Sequence, residues 1–344
     1  MIDGGTYLFA IGVATQSPAS LDALEVPESF EPVRGIIAEG LVAFVSTYRG
    51  PAIEDLPQNE LTARLLMNQM VIEQLMPAGT LLPVRLGTVM DDDDAVISLL
   101  RTSGALLRTT CDVYAAKVEI GIAATWHLQE ILAQVALDPE VMAAKSVAMT
   151  VPAAAHAEAA ISVGKLVEAK LHERRSTLEQ VVLTHLQPFA DDVQFNAVVS
   201  DELICNIALL IDHHSVDQID QVLYRLDAEF EGQYDFRRVG PLPPYSFATV
   251  HMHQIDSIEI DRARAILDLP HHFDEPAVLA QYRELALKRH PDAQGAGPSA
   301  AKEFEELTKA RATLVSLCQH PSDHGFDPTS RVVLASIERS IGRD

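Results

Sequence analysis

Two histidine pairs come nearest to reactive chemistry in this sequence: His251 with His253, on one side of a candidate strand, and His213-His214 beside Asp212. Either pair could begin a metal site. Each lacks a third ligand at usable spacing, so both read as surface histidines. The acidic run Asp91–Asp94 opens a helical pattern, where carboxylates satisfy free N–H groups and the positive end of the helix dipole. A metal site is the sharper alternative, but consecutive aspartates point in different directions and lack the alternating spacing of a calcium loop. Gly164-Lys165 is no phosphate loop, because the upstream glycine and the following Ser/Thr are missing. There is no Gly-x-Ser-x-Gly elbow and no glycine-rich fingerprint after a strand. Cys111, Cys205 and Cys318 are odd in number and far apart, so they read as reduced, mostly buried thiols. Arg85, inside an apolar stretch, reads as half of a buried ion pair. The expectation is a protein without enzymatic activity, metal or cofactor.

The elements around these residues form a folded protein. At 344 residues, 48% of them hydrophobic, the chain can hold two or three domains with cores of their own. Acidic residues outnumber basic ones 49 to 26, a formal charge of −23 that repels nucleic acid and anionic lipid. No apolar run reaches the roughly 18 to 20 residues of a membrane span. The N-terminus lacks the basic start of a secretory signal, which points to the cytoplasm.

Thr6–Ala14 reads as a strand buried on both faces, and Gly35–Ala38 with Leu41–Thr47 as a hairpin around Glu39-Gly40. Leu61, Leu65, Ile72 and Leu75 give a helical stripe, stopped by Pro77 and Gly79. Leu81–Val89 reads as a strand whose early proline places it at an edge or a strand start. One helical pattern runs through Val96, Leu100, Leu107, Cys111 and Tyr114, and Val118, Ile120 and Ile122 alternate as the strand closing this first α+β unit. Residues 128–155 are alanine-rich and unassigned. A long helix through Val163, Val167, Leu171, Leu178 and Val181 follows, then strands near 197–199 and 204–211, and a helix from Ser215 to Glu231. Gly240-Pro241-Leu242-Pro243-Pro244 must form a stiff bend or a sheet edge, because each proline fixes φ and removes a donor. Tyr245–Val250 reads as a strand leaving it. The expected architecture is α+β: ferredoxin-like domains over 1–127 and 128–253, a small helical module over 258–320, and a C-terminal tail, 321–344.

Leu82-Pro83-Val84-Arg85-Leu86-Gly87-Thr88, Lys117-Val118-Glu119, Ser162–Glu168 and Gly240-Pro241-Leu242-Pro243-Pro244-Tyr245-Ser246-Phe247, in this order, resemble the gas vesicle protein GvpF/GvpL family over about residues 5 to 252. The resemblance implies a minor gas vesicle protein that contacts the hydrophobic shell protein and other minor gas vesicle proteins and aids assembly. It also implies localisation to the cytoplasm and the gas vesicle, and a ferredoxin-like domain followed by a modified α/β domain. Arg85, Gly87, Gly240, Pro241, Pro243, Pro244 and Tyr245 carry the family motifs. An edge near Pro83 or the Pro243-Pro244 bend is the expected shell-protein contact, because a helper of a sticky subunit offers either a strand edge or a groove.

Residues 258–318 resemble a J-domain of DnaJ-type co-chaperones: Ala263–Pro270, Tyr282–Asp292, Phe304–Leu307 and Ala310–Leu314 match, with His290-Pro291-Asp292 just after a helix. By resemblance this tripeptide, with Arg283, Lys288 and Arg289, meets a DnaK-type chaperone. The sequence departs from the J-domain pattern at Arg264 and Arg311, where tyrosines are usual, and at Asp268, where glycine is usual. Leu279, Ala280 and Glu284 stand where basic residues are common, which weakens steering toward an acidic partner. A general co-chaperone with an α+β client platform is the alternative reading, and the module could also be a degenerate one kept for packing.

Overall fold

The computed structural model describes residues 2–14, 30–255, 257–270, 273–289, 298–318 and 332–339. The chain forms two units, Met1–Ala115 with Ala248–Glu338, and Ala116–Phe247 with Arg339–Asp344. Each is an α+β body built on antiparallel sheet, and the first also carries the C-terminal helices.

The first unit begins with β1 (Ile2–Val13), β2 (Arg34–Ala38) and β3 (Leu41–Gly50), followed by α1 (Gln58–Leu75), β4 (Leu81–Pro83), β5 (Val89–Met90), α2 (Asp93–Thr102) and α3 (Gly104–Val113). The sheet order is β2-β3-β1-β4, with β5 also on β1. Tyr7, Leu8, Phe9, Ala10 and Ile11 are all buried, as a strand covered on both faces requires. A register shift between Leu8 and Ala10 turns Ile11 to the same core as Leu8, where both join Val96, Leu99 and Leu107 of the helices. Tyr7 and Phe9 instead pack with Phe30 and Tyr48, and Arg64 of α1 stacks over Phe30 at 4.6 Å. The hairpin turn uses positive φ at Glu39 and Gly40, as two-residue loops prefer.

Three sequence expectations change here. Burial on α1 begins at Met67 and continues through Asn68, Val71, Ile72 and Leu75, so Leu65 lies outside the packed stripe and is exposed. The strand expected over Leu81–Val89 is two short ones, because Arg85–Thr88 turns around Gly87 at φ +87°. The single helix after the aspartates breaks at Ser103 into α2 and α3.

The second unit comprises β6 (Lys117–Trp126), α4 (Leu128–Ala136), α5 (Pro139–Thr150), α6 (His156–Leu186), β7 (Ala190–Phe195), β8 (Leu203–Asp212), α7 (Val216–Glu229) and β9 (Tyr234–Leu242), with sheet order β7-β8-β6-β9. β6, expected to close the first unit within residues 1–127, is instead a central strand of this second sheet, paired with β8 and β9. Alternation of apolar residues reports which face is buried and carries no information about the partner strand. The strand expected near 197–199 lies earlier, at 190–195, where Ala190 to Phe195 pair with β8. The unassigned alanine-rich stretch is α4 and α5, the latter started by Asp138 Oδ1 accepting Glu140 N–H at 2.9 Å.

The rest of the first unit is β10 (Thr249–Ile255), α8 (Ser257–Ile266), α9 (Glu275–Arg289), α10 (Pro298–Cys318) and β11 (Val332–Glu338). The strand expected from Tyr245 starts only at Thr249, because the proline bend runs on: Tyr245 N–H donates to Pro243 O and Phe247 N–H to Pro244 O. Residues 332–338, read as part of a tail, form a strand paired with β10 from Thr249↔Glu338 to Ile255↔Val332.

Candidate functional site

The motif Gly240–Phe247 folds back onto β6 of its own unit. Gly240 has φ +108°, and a Cβ there would stand 2.7 Å from the Glu119 carbonyl oxygen, so both the backbone conformation and the close approach demand glycine. The bend places Ser246 over the Glu119 side chain, whose Oε2 accepts the Ser246 N–H at 2.6 Å and whose Oε1 accepts the Ser246 hydroxyl at 2.8 Å. Burial pushes the Glu119 carboxyl above the usual range, while the two Ser246 hydrogen bonds act in the opposite direction. Pro243 and Pro244 are buried and Tyr245 half-buried, leaving Pro241 as the exposed residue of the group. The most recognisable string of the chain is thus an internal latch, and the expected contact surface at Pro243-Pro244 is not exposed.

The other motif, Leu82–Thr88, also closes on itself. Thr88 donates through its N–H and its hydroxyl to Arg85 O, at 3.2 and 2.7 Å. A Cβ on Gly87 would collide with the Ile53 side chain. Gly87 N–H reaches the Tyr7 hydroxyl, which itself bonds Asn68 Oδ1 at 3.2 Å; burial pushes that phenol up to about 12. Arg85 is exposed, so the buried ion pair expected for it is not formed; its N–H donates to Val250 O at 2.9 Å. The backbone beside Pro83 is therefore taken by β10, and no strand can be added at that point.

In the helical module, Ile260, Ala263, Leu267, Val278, Leu307, Ala310 and Leu314 make the core. The departures from the J-domain pattern have local solutions. Asp268 takes the left-handed conformation, φ +51°, that favours glycine, and closes α8 with Leu269 N–H on Arg264 O and Asp268 N–H on Ala265 O. Arg311 stacks over Tyr282 at 4.8 Å in place of an aromatic pair, and Arg264 pairs with Asp261 at 2.8 Å. On α9, Arg283 and Leu287 are exposed, and Lys288 is bound by Glu284 at 2.6 Å, which holds that carboxyl below its ordinary value. The Arg289 side chain and His290, Pro291 and Asp292 lie outside the described residues.

The histidines and aspartates have plain roles. His251 faces Glu338 at 3.3 Å, while the His253 side chain lies outside the described residues. The His213 and His214 rings meet edge to face, 5.4 Å apart, and Asp212 caps their turn by accepting His214 N–H at 2.8 Å. Asp92 caps α2 through Ala95 N–H, and Asp93 accepts from Thr6 and Arg34, each at 2.8 Å. Among the described residues no group of three or more His, Cys, Asp or Glu could hold a metal ion, and no helix is long and apolar enough to cross a membrane. Cys111 and Cys205 are buried, their thiols pushed up to about 11 and about 12 by burial.

The Ser246–Glu119 latch was not anticipated, although a glutamate at an alternating position of an apolar strand is a visible signal for a buried partner. The comparisons with known proteins agree with this anatomy. Residues 5–249 match the model of the gas vesicle synthesis protein GvpL/GvpF family, and residues 265–317 match the DnaJ domain. Gas vesicle protein F of Nostoc sp. (strain PCC 7120) is 29% identical over 197 residues, covering 54% of this chain and 77% of that protein. Gas vesicle protein F of Streptomyces sp. (strain CB03234) is 26% identical over 251 residues, covering 70% and 98%. The crystal structure of the gas vesicle protein GvpF from Anabaena sp. PCC7120 superposes with a TM-score of 0.59 at 25% identity, over 71% of this chain and 98% of that one. With antiparallel α+β units that carry the Gly240–Phe247 latch, and a helical C-terminal DnaJ region, this chain belongs to the GvpL/GvpF family of gas vesicle proteins.

Proposed function

We propose that the chain binds the hydrophobic shell protein of the gas vesicle and keeps it from self-association during assembly, acting at gas vesicles in the cytoplasm. We also propose that its DnaJ region recruits a DnaK-type chaperone to that step. The observation that carries this reading is the presence, on one chain, of a GvpL/GvpF match over residues 5–249 and a DnaJ match over residues 265–317. The chemistry required is an apolar surface for the client and no reaction at all.

The contact is placed on a helix face, since Pro83 is backed by β10 and Pro243-Pro244 are buried. On α1, Leu65, Leu66 and Met70 are 50%, 58% and 55% exposed, an uncovered apolar stripe suited to an apolar partner. The test is co-sedimentation of the full chain with purified shell protein, alone and as Leu65→Ser, Leu66→Ser, Met70→Ser. Loss of at least tenfold in bound protein, with unchanged circular dichroism, is expected for the triple variant. If the unaltered chain neither binds shell protein nor slows its clumping, yet stimulates DnaK ATPase and His290→Gln abolishes that stimulation, the general co-chaperone reading replaces this one.

A further inference from the structure

The DnaJ-like helices are not appended after the α/β body; they are inserted between two strands that belong to it. The chain leaves β10, passes through α8, α9 and α10, and returns as β11, which pairs with β10 along its whole length. β10 in turn meets the first sheet, where Val250 bridges Val84 and accepts the Arg85 N–H at 2.9 Å. On β11 the side chains alternate between two cores. Val333 and Ala335 are 5% and 1% exposed in the core shared with Val96, Leu99 and Leu107, whereas Leu334, at 0%, lies in the helical core with Ile260, Leu267 and Leu314. The period of two that puts neighbouring residues of a strand on opposite faces makes this single strand a wall of both cores. A polar tie fixes its register: Ala335 N–H donates to the Ser103 hydroxyl at 2.9 Å, and Ser103 is fully buried at the break between α2 and α3. A buried donor of this kind is costly to leave unpaired, so sliding β11 by one residue would both orphan the N–H and exchange the two cores' side chains.

We propose that β11 is a coupling strand that makes the DnaJ-like helices and the N-terminal α/β body one cooperative unit, so that a partner gripping the helices acts directly on the first sheet. A module on a flexible tether would open and close independently of the domain it follows. Here Val333 and Ala335 belong to one core and Leu334 to the other. The inference stands whether or not a chaperone is the partner, because it concerns how the helices are mounted and not what they bind.

Amide hydrogen exchange on the full chain tests it. Leu314→Ala hollows the helical core at a residue of α10, outside β10, β11 and α2. Exchange is expected to quicken at least tenfold in α8 and α10, and also in β10, β11 and the last turn of α2 up to Ser103. Acceleration confined to residues 257–318, with β11 and α2 as protected as in the unaltered chain, would overturn the proposal. Should Leu314→Ala prevent folding, Val333→Ala asks the same question from the opposite core: α8 and α10 must lose protection, and helices that keep it show that the two bodies are independent.

Discussion

Replacing Ser246 by alanine removes the hydroxyl donor 2.8 Å from Glu119 Oε1 and leaves the peptide N–H, at 2.6 Å, on Oε2. A hydrogen bond to a charged group contributes about 1.5–3 kcal/mol, and water does not replace it in a buried setting, so Ser246→Ala is expected to cost about 2 kcal/mol at pH 8. The loss depends on pH with a definite sign. Burial holds the folded Glu119 carboxyl above its unfolded value, so between those two values the folded chain binds the additional proton. Its stability contribution is therefore complete below the unfolded pKa and is lost as pH rises through the folded one. Removing a donor to the carboxylate raises the folded pKa further, so the gap between Ser246→Ala and the unaltered chain widens from pH 5 to pH 8. Glu119→Gln, which can still accept the N–H and donate to the serine oxygen, is expected to flatten the dependence arising from this residue. Urea unfolding at the two pH values, with unchanged m-values, reads these differences. Equal destabilisation by Ser246→Ala at pH 5 and pH 8, or an unchanged pH slope in Glu119→Gln, would refute the reading of Glu119 as a buried carboxyl with a raised folded pKa.

Two further substitutions probe single backbone positions. Asp268→Gly relieves a left-handed φ of +51° at the end of α8 and is expected to stabilise the helical module by about 0.5–1 kcal/mol, visible as a higher midpoint in urea. Gly240→Ala meets both a φ of +108° and the Glu119 carbonyl at 2.7 Å, and is expected to cost about 2–4 kcal/mol in the same assay; a neutral result would show that the latch is looser than its geometry.

What could be read from the sequence was local. The hairpin at Glu39-Gly40, the cap at Asp92 and the helix through Ile219, Val222 and Leu226 follow from turn chemistry, capping and periodicity, and each is present. What could not be read was long-range pairing. β6 alternates as it would in either sheet, and nothing in Lys117–Trp126 says that its partners begin at Leu203 and Tyr234. Leu65 shares a helical stripe with Ile72 in the sequence, yet burial on α1 starts only at Met67 and Leu65 is exposed, which periodicity alone does not show. β11 was hidden for a different reason: Val332–Glu338 follows a helical module that already looked complete, although its run of apolar residues is a strand signal in its own right. The motif residues gave the family, yet their positions in the fold show Pro243, Pro244 and Gly87 acting inside the protein, so family diagnosis and contact surface were separate questions.

The same distinction bears on the DnaJ region. If Arg311, Arg264 and Asp268 marked a decaying module, they would leave unfilled partners or strain with no local answer. Arg311 instead lies over Tyr282, Arg264 pairs with Asp261, and Asp268 is one of the few residue types that tolerates the left-handed cap. Each of the three departures is therefore matched by a local contact or conformation. On the surface of α9 charge is partly offset: Glu284 pairs with Lys288, and Leu287 stands 80% exposed on the same helix. A helix face that offers an exposed leucine beside neutralised charge relies less on long-range steering and more on short-range apolar contact. The proposed association with a DnaK-type chaperone is accordingly expected to fall less steeply with salt than that of a strongly basic J-domain, and a salt slope as steep as such a domain's would contradict this account.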